Sequence, residues 1–300
     1  MTKPARIAPK VFDPLSFDHD GWFRASFQGD DPSINFQMVP AFGGGRLITA
    51  LVDGEACVVS SRNTSIATVS APLQDASSSV NRVVLLPIAG AGEFPFVVEI
   101  HGHRAGRTLV DLSDMNGQSL GTVDVSVKEE VQKTYRLWGL KDIVRRTTRT
   151  PDQMINIMNN VTRLYKSQAN VKLTQLGAPL DLLFKTDLGD PISSPNLLLA
   201  RIGAGIKLSG LSTADFDMVS TWDIPDAVGQ TSDIAGDCMI EDYKPGHELS
   251  ETSSYAHELG HAFSCGHTDR TKMMMSGDGS DGFQMTRTDI NTINTTGLDP

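Results

Sequence analysis

The chain has 300 residues, of which 39% are hydrophobic and 21% charged, and this composition excludes collagen-like, disordered and coiled-coil proteins. The formal net charge is −10, so the surface repels phosphate backbones and anionic lipid, and neither nucleic acid nor a membrane surface is an expected partner. The one tight basic cluster, Arg145, Arg146 and Arg149, is interpreted as a solvated connector. No run of 18 apolar residues occurs, so we predict no membrane span.

The first 130 residues are predicted to form strands. Short runs that alternate apolar and polar residues are separated by Gly, Pro, Asn and Ser, which favours a β-sandwich. The segments SSRNTSIATVS (60–70) and GHRAGRTLVDLSDMNGQSLGTVDVSV (102–127) resemble the bacterial immunoglobulin-like repeat. That resemblance implies an all-β immunoglobulin-like accessory domain over residues 1–130. The strand-like runs cover 46–52, 56–61, 81–88, 94–102, 107–113 and 121–128.

A second domain, α/β or α+β with a mixed sheet, is predicted over residues 131–300. It opens with a helix, for which Thr150 is the N-cap, Pro151 the first helical residue and Asp152 an acidic residue in the first turn. Further strands are expected at 170–176, 180–187, 197–203, 216–224 and 237–243.

The segment SSYAHELGHAFSCGHTDRTKMMMSGDG (253–279) carries the chemistry of the chain. His257 and His261 lie four residues apart in a predicted helix, so both imidazoles leave the same face and can share one zinc ion. Glu258 points about 100° away from His257 and can reach a water on the metal without coordinating it. H-E-x-x-H is the zinc-protease motif, and His267 supplies the third ligand that such a site requires.

With His267 the pattern resembles the metzincin clan of zinc endopeptidases. Two later features agree: the methionines Met273 to Met275, and a helix over 286–294 that would be the clan's C-terminal helix, with Thr286 as N-cap. The resemblance implies a methionine-containing turn beneath the zinc. Met275 is the best candidate for that turn and Met274 the next.

The resemblance also implies an edge strand that pairs with an extended polypeptide substrate, and the segment 236–243 is our candidate for it. One departure from the clan is Ser264, which replaces the glycine that lets the chain turn between the second and third ligands. A left-handed serine costs about 1 kcal/mol. Either Gly266 takes over the turn or the helix ends differently.

Three cysteines, Cys57, Cys238 and Cys265, are too few for a disulfide framework, and Cys238 with Cys265 is the favoured pair if one forms. Asp278 and Asp281 resemble part of a calcium loop, but a plain Gly-rich turn is favoured. The N-terminal residues lack the apolar core of a Sec signal, so export without such a signal, from a cytoplasmic precursor, is expected.

These features predict a Zn²⁺-dependent endopeptidase in which Glu258 is the catalytic base and acid and His257, His261 and His267 hold the metal. A protein inhibitor or a secretion apparatus is a further expected partner. Two alternatives stay open. One is a surface-binding or adhesion protein with a degenerate metal domain. The other is a zinc hydrolase that acts on peptidoglycan peptides.

Overall fold

The computed structural model describes residues 6–9, 22–24, 34–53, 57–71, 82–85, 93–232, 236–242, 248–269, 273–277 and 282–298. They form a mixed α/β protein with three sheets and, in these ranges, four helices. Contacts divide the chain into two compact units: residues 1–130, 167–170 and 286–300 make up the first, and residues 131–166 and 171–285 the second. The segments 167–170 and 286–300, which the sequence placed in the second domain, therefore group with the first unit.

The first unit contains two sheets around one apolar core. Buried residues of both sheets contribute to it, for example Ile48 and Val98 from one sheet and Val59 and Leu112 from the other. The pairings are antiparallel except for one parallel pair, β3 (Ile34–Pro40) with β10 (Ser119–Lys128). The immunoglobulin-like identity of the first unit stays a prediction. The four-stranded sheet has the order β1 (Arg6–Pro9), β4 (Gly45–Asp53), β8 (Glu93–Gly102), β6 (Ala67–Ser70). The six-stranded sheet has the order β2 (Trp22–Arg24), β3 (Ile34–Pro40), β10 (Ser119–Lys128), β9 (Gly106–Ser113), β5 (Cys57–Ser61), β7 (Arg82–Leu85).

Helix α4 (Arg287–Ile293) also groups with the first unit. Its start is the predicted one, because the Thr286 side chain accepts a hydrogen bond from the Asp289 amide at 3.1 Å. The Thr286 amide in turn donates to the Asp289 carboxylate at 2.7 Å, which completes a capping box.

The second unit is built on the third sheet, whose strands are parallel except at one edge. The order is β12 (Val171–Gln175), β11 (Val131–Lys141), β14 (Phe216–Thr221), β16 (Asp237–Glu241), β15 (Gly229–Thr231), and β13 (Leu180–Leu183) also pairs with β11. Only β15 runs antiparallel to its neighbour. A parallel sheet is usually covered on both faces, and helices lie on both faces here. Among the described residues no helix is long and apolar enough to cross a membrane.

Helices α1 (Pro151–Ala169) and α3 (Glu248–Ala262) cover one face of this sheet. The Tyr165 hydroxyl of α1 donates to the Ala256 carbonyl of α3 at 2.8 Å. Phe263, just after α3, contacts the rings of Tyr165 and Phe216. The start of α1 at Pro151 confirms the predicted helix.

Helix α2 (Pro195–Ser209) covers the other face. The prediction of a strand over 197–203 was therefore wrong. The run LLLARIG is apolar, and a short apolar run does not distinguish a buried strand from a buried helix. Pro195 at the first turn and the left-handed Gly210 after the last residue mark the true ends of the helix.

Arg149 is buried, so the interpretation of the basic cluster as a solvated connector was wrong for this residue. Its guanidinium contacts both strand β16 and helix α3, and neighbouring carboxylates balance its charge, which is how a buried arginine is stabilised. The groups around it are the main-chain carbonyls of Ile240 and Glu241, the carboxylates of Asp242 and Glu251, and the ring of Tyr255.

Candidate metal centre

Helix α3 places His257 and His261 on one face, as their spacing predicts, and their Nε2 atoms lie 3.0 Å apart. The chain leaves the helix through Ser264, which has φ +70°. The Cys265 amide donates back to the Gly260 carbonyl at 2.9 Å, the bond pattern of a left-handed helix cap. Ser264 itself therefore makes the turn, and Gly266 does not have a positive φ.

That turn brings His267 back to the helix. Its Nε2 atom lies 3.0 Å from that of His261 and 3.2 Å from that of His257. The three nitrogens are the one group of three or more potential metal ligands found among the described residues.

The hydrogen bonds of the opposite ring nitrogens determine which nitrogens of His257 and His261 face the cluster. Nδ1 of His257 lies 2.8 Å from the Met274 carbonyl, and Nδ1 of His261 lies 2.9 Å from the Cys265 carbonyl. A carbonyl only accepts, so each Nδ1 carries the proton and each Nε2 presents a lone pair. Facing lone pairs repel one another unless a cation lies between them.

The spacing of the cluster fits zinc. Ligands at about 2.0–2.1 Å from a tetrahedral ion lie about 3.3 Å apart, close to the observed separations. Burial, together with His261 and His267, lowers the pKa of His257 to about 4, so this ring is neutral at pH 7, as a ligand must be.

The methionine segment lies against α3. Met273 to Ser276 form a tight turn, closed by the Ser276 amide donating to the Met273 carbonyl at 3.1 Å. Met274 and Met275 are both buried. The sulfur of Met275 lies so close to Gly260 that a side chain at that position would collide with it. The turn thus supplies the carbonyl that orients His257 and packs against the helix between the ligands.

Glu258 is 5% exposed and lies beside the edge strand β15. Thr231 of that strand has its hydroxyl 2.6 Å from Oε2 of Glu258 and 2.9 Å from the Glu258 carbonyl. Gly229 leaves room for the carboxyl group, because a Cβ there would lie 2.5–2.7 Å from three Glu258 side-chain atoms. Burial raises the pKa of Glu258 to about 7, and the hydrogen bond from Thr231 opposes that rise. A carboxyl group with a pKa near 7 can both accept and return a proton at neutral pH.

The expected edge strand is in a different place. The segment 236–243 contains β16, which pairs with β14 on one side and with β15 on the other, so it is not an edge. The edge is β15, which has only three residues, GQT, and no apolar alternation for sequence reasoning to detect. Its contact with Glu258 of α3 likewise could not be inferred from the sequence, so Gly229 and Thr231 were missed.

A cavity of about 730 Å³ opens beside the imidazole cluster. One wall is the segment from Ile224 to Thr231, which includes the edge strand. The opposite wall belongs to α3 and to the turn after Met273. Glu241 lines the same cavity, and the sequence offered no signal for it.

Cys57, Cys238 and Cys265 are all buried, and no disulfide joins any two of them. Asp278 and Asp281, which were compared with a calcium loop, lie outside the described residues.

No protein-family model matches the sequence, and no curated protein is similar to it. Solved structures similar to it include an archaemetzincin from Methanopyrus kandleri, with 16% identity, a TM-score of 0.40, and coverage of 54% of this chain and 93% of that one. A zinc-dependent peptidase from Methanocorpusculum labreanum has 13% identity, a TM-score of 0.38, and coverage of 54% and 100%. Metalloproteinase-II from Bacteroides fragilis has 8% identity, a TM-score of 0.36, and coverage of 86% and 84%. Similarity at these TM-scores establishes neither family nor function, and the inferences below rest on the site geometry.

Proposed function

We propose that the chain is a zinc-dependent endopeptidase. The observation that carries the proposal is the convergence of three imidazole Nε2 atoms within 3.2 Å of one another, beside a buried glutamate and an unpaired strand edge. His257, His261 and His267 would hold the ion, which leaves one tetrahedral position open, as catalytic zinc sites require. When bound, Zn²⁺ lowers the pKa of a coordinated water and polarises a carbonyl oxygen.

Glu258 would move the proton. Its carboxylate accepts a proton from the attacking water and passes it to the amine that leaves when the peptide bond breaks. Thr231 holds one carboxylate oxygen, which leaves the other free for this transfer. Met275 would be the residue of the methionine turn that supports the ligand helix.

The edge strand β15 would bind the substrate. Its outer side has no partner strand among the described residues. An extended peptide can therefore add to it by main-chain hydrogen bonds, next to the imidazole cluster. The first unit would serve as an immunoglobulin-like accessory domain.

The test is cleavage of casein, an unstructured protein, by zinc-loaded wild type, by the same protein after chelation, and by Glu258→Ala. We expect cleavage by the wild type, loss on chelation with recovery on added zinc, and no cleavage by Glu258→Ala although it retains the metal. Zinc binding without cleavage of casein would contradict the proposal. Loss of turbidity of purified cell wall in that case would favour hydrolysis of peptidoglycan peptides.

A further inference from the structure

The cavity beside the imidazole cluster continues to a carboxylate that the proposed mechanism does not use. Gly229 of β15 pairs with Ile240 of β16, and the Glu241 amide donates to the Val228 carbonyl at 3.0 Å. Glu241 therefore lies past the Gly229 end of the edge strand. On the opposite wall, Ser253 lies one turn of α3 before His257. The cavity thus extends from the imidazole cluster, between the edge segment and α3, to Glu241.

The Glu241 carboxylate has no ion-pair partner among the described residues. It is partly buried, and the contact that holds it is the Ile224 amide, 3.2 Å from Oε2. The nearby cation, Arg149, forms ion pairs with Asp242 and Glu251 instead. Burial raises the pKa of Glu241, as do the charges of Asp223 and Asp242, whereas the hydrogen bond from the Ile224 amide and, to a smaller extent, the charge of Arg149 lower it. A carboxylate in these surroundings is stabilised by a cation that enters from the cavity.

The remainder of the lining favours the same kind of ligand. Among the described residues that line the cavity there is no lysine or arginine, whereas Asp226 adds a second carboxylate at the exposed rim. The volume of about 730 Å³ is ample for a long side chain. A peptide extended along β15 would present alternate side chains towards the protein, so one of them can enter this part of the cavity.

We propose that Glu241 forms a subsite for a cationic side chain, arginine or lysine, of the substrate near the bond that is cut. The subsite rests on the proposed peptidase function for its place in a reaction. Arginine is the better fit, because its guanidinium offers several donors to a carboxylate whose one oxygen is already held by the Ile224 amide.

The first experiment uses a library of unstructured peptides, with cleavage sites read by mass spectrometry, and zinc-loaded wild type, Glu241→Gln and Asp223→Asn. Glu241→Gln removes the charge but keeps an acceptor for the Ile224 amide. Asp223→Asn is the matched control, because it removes an exposed charge close to Glu241 that does not line the cavity. We expect arginine and lysine to be enriched about 10- to 100-fold at one fixed position in wild type and in Asp223→Asn, and not in Glu241→Gln.

The second experiment measures binding without catalysis. Zinc-loaded Glu258→Ala is titrated with a peptide that contains arginine and with the same peptide containing citrulline, which has nearly the same shape but no charge. We expect Glu258→Ala to bind the arginine peptide about 10- to 100-fold more tightly than the citrulline peptide. The double variant that carries both Glu258→Ala and Glu241→Gln should bind the two peptides equally. The comparison of the two peptides needs no change at position 241, so it does not depend on the folding of a Glu241 variant.

The outcomes separate the two proposals. Cleavage without a preference for basic residues, or a preference that survives in Glu241→Gln, overturns the subsite and leaves the peptidase function standing. No cleavage, together with tighter binding of the arginine peptide, overturns the peptidase function and supports the subsite. No cleavage and equal binding of both peptides overturns both.

Discussion

A buried aspartate in the second unit predicts an unusual dependence of stability on pH. Asp237 is 1% exposed, and neither of its carboxylate oxygens has a hydrogen-bond partner in the part of the chain that the structure describes. Asp217 lies directly opposite it on β14, and Trp138 donates to Asp217 at 2.7 Å. Burial, followed by the charge of Asp217, raises the pKa of Asp237 to about 6, against a smaller effect of Lys207.

The direction in which the free energy of unfolding changes with pH follows from the difference in bound protons between the folded and the unfolded chain. Between pH 4 and 6 the unfolded chain releases the Asp237 proton while the folded chain keeps it, so the free energy of unfolding falls as the pH rises through this range. A shift of about 2 pKa units corresponds to about 3 kcal/mol, or about 2 kcal/mol after allowance for solvent screening. Asp237→Asn removes the ionisable group and with it this loss of stability at high pH. The variant should match the wild type near pH 4 and exceed it by about 2 kcal/mol at pH 8.

The assay is urea unfolding of wild type and Asp237→Asn at several pH values from 4 to 8, with the difference between the two proteins as the readout. Asp217→Asn is the companion variant, because it removes the repulsion but leaves an acceptor for Trp138. It should lower the pKa of Asp237 and so narrow the pH range over which wild type loses stability. A difference between wild type and Asp237→Asn that does not change with pH would show that folding does not raise the pKa of Asp237.

Three further predictions concern the metal centre. Thr231→Val should lower kcat about tenfold with KM and zinc content unchanged, and Thr231→Ser should restore kcat, because the hydroxyl holds the Glu258 carboxylate. The control is Thr221→Val, which removes a buried hydroxyl of the same sheet that has no hydrogen-bond partner among the described residues; an equal loss of kcat in this variant would contradict the prediction. Gly229→Ala should also lower kcat, since a Cβ would displace the Glu258 carboxyl group; full activity would show that the strand can move aside. Ser264→Gly should raise the free energy of unfolding by about 1 kcal/mol in urea, because φ is +70° there; no change would mean that the turn is not strained.

The clustering of the three histidines was predictable from the sequence because their spacing is local. A separation of four residues in a helix places His257 and His261 on one face, and the structure places them there. The turn after this helix was not predicted correctly: Gly266 was offered as the residue that makes it, and in the structure Ser264 does so, with φ +70°. The caps of α1 and α4 are equally local, which is why Thr286 and Pro151 marked their helix starts correctly.

The parts that were missed depend on contacts between distant segments. The LLLARIG run is an exception, because Leu, Ala and Arg are good helix formers and Pro195 and Gly210 mark the helix ends locally; a short apolar run was misinterpreted as a strand. Strand β15 is defined by pairing with β16, so neither its edge position nor the contact of Thr231 with Glu258 follows from three polar residues. Arg149 belongs to a local basic cluster, yet its partners, including Glu251, lie about a hundred residues away.

The proposed binding of one metal ion by three imidazoles is tested most directly by elemental analysis of purified wild type and His261→Ala. We expect one tightly bound zinc per wild-type chain and its loss in His261→Ala, with the fold of the variant checked by circular dichroism. Wild-type protein that is free of metal and also takes up none when zinc is added would show that the three imidazoles do not form a metal site.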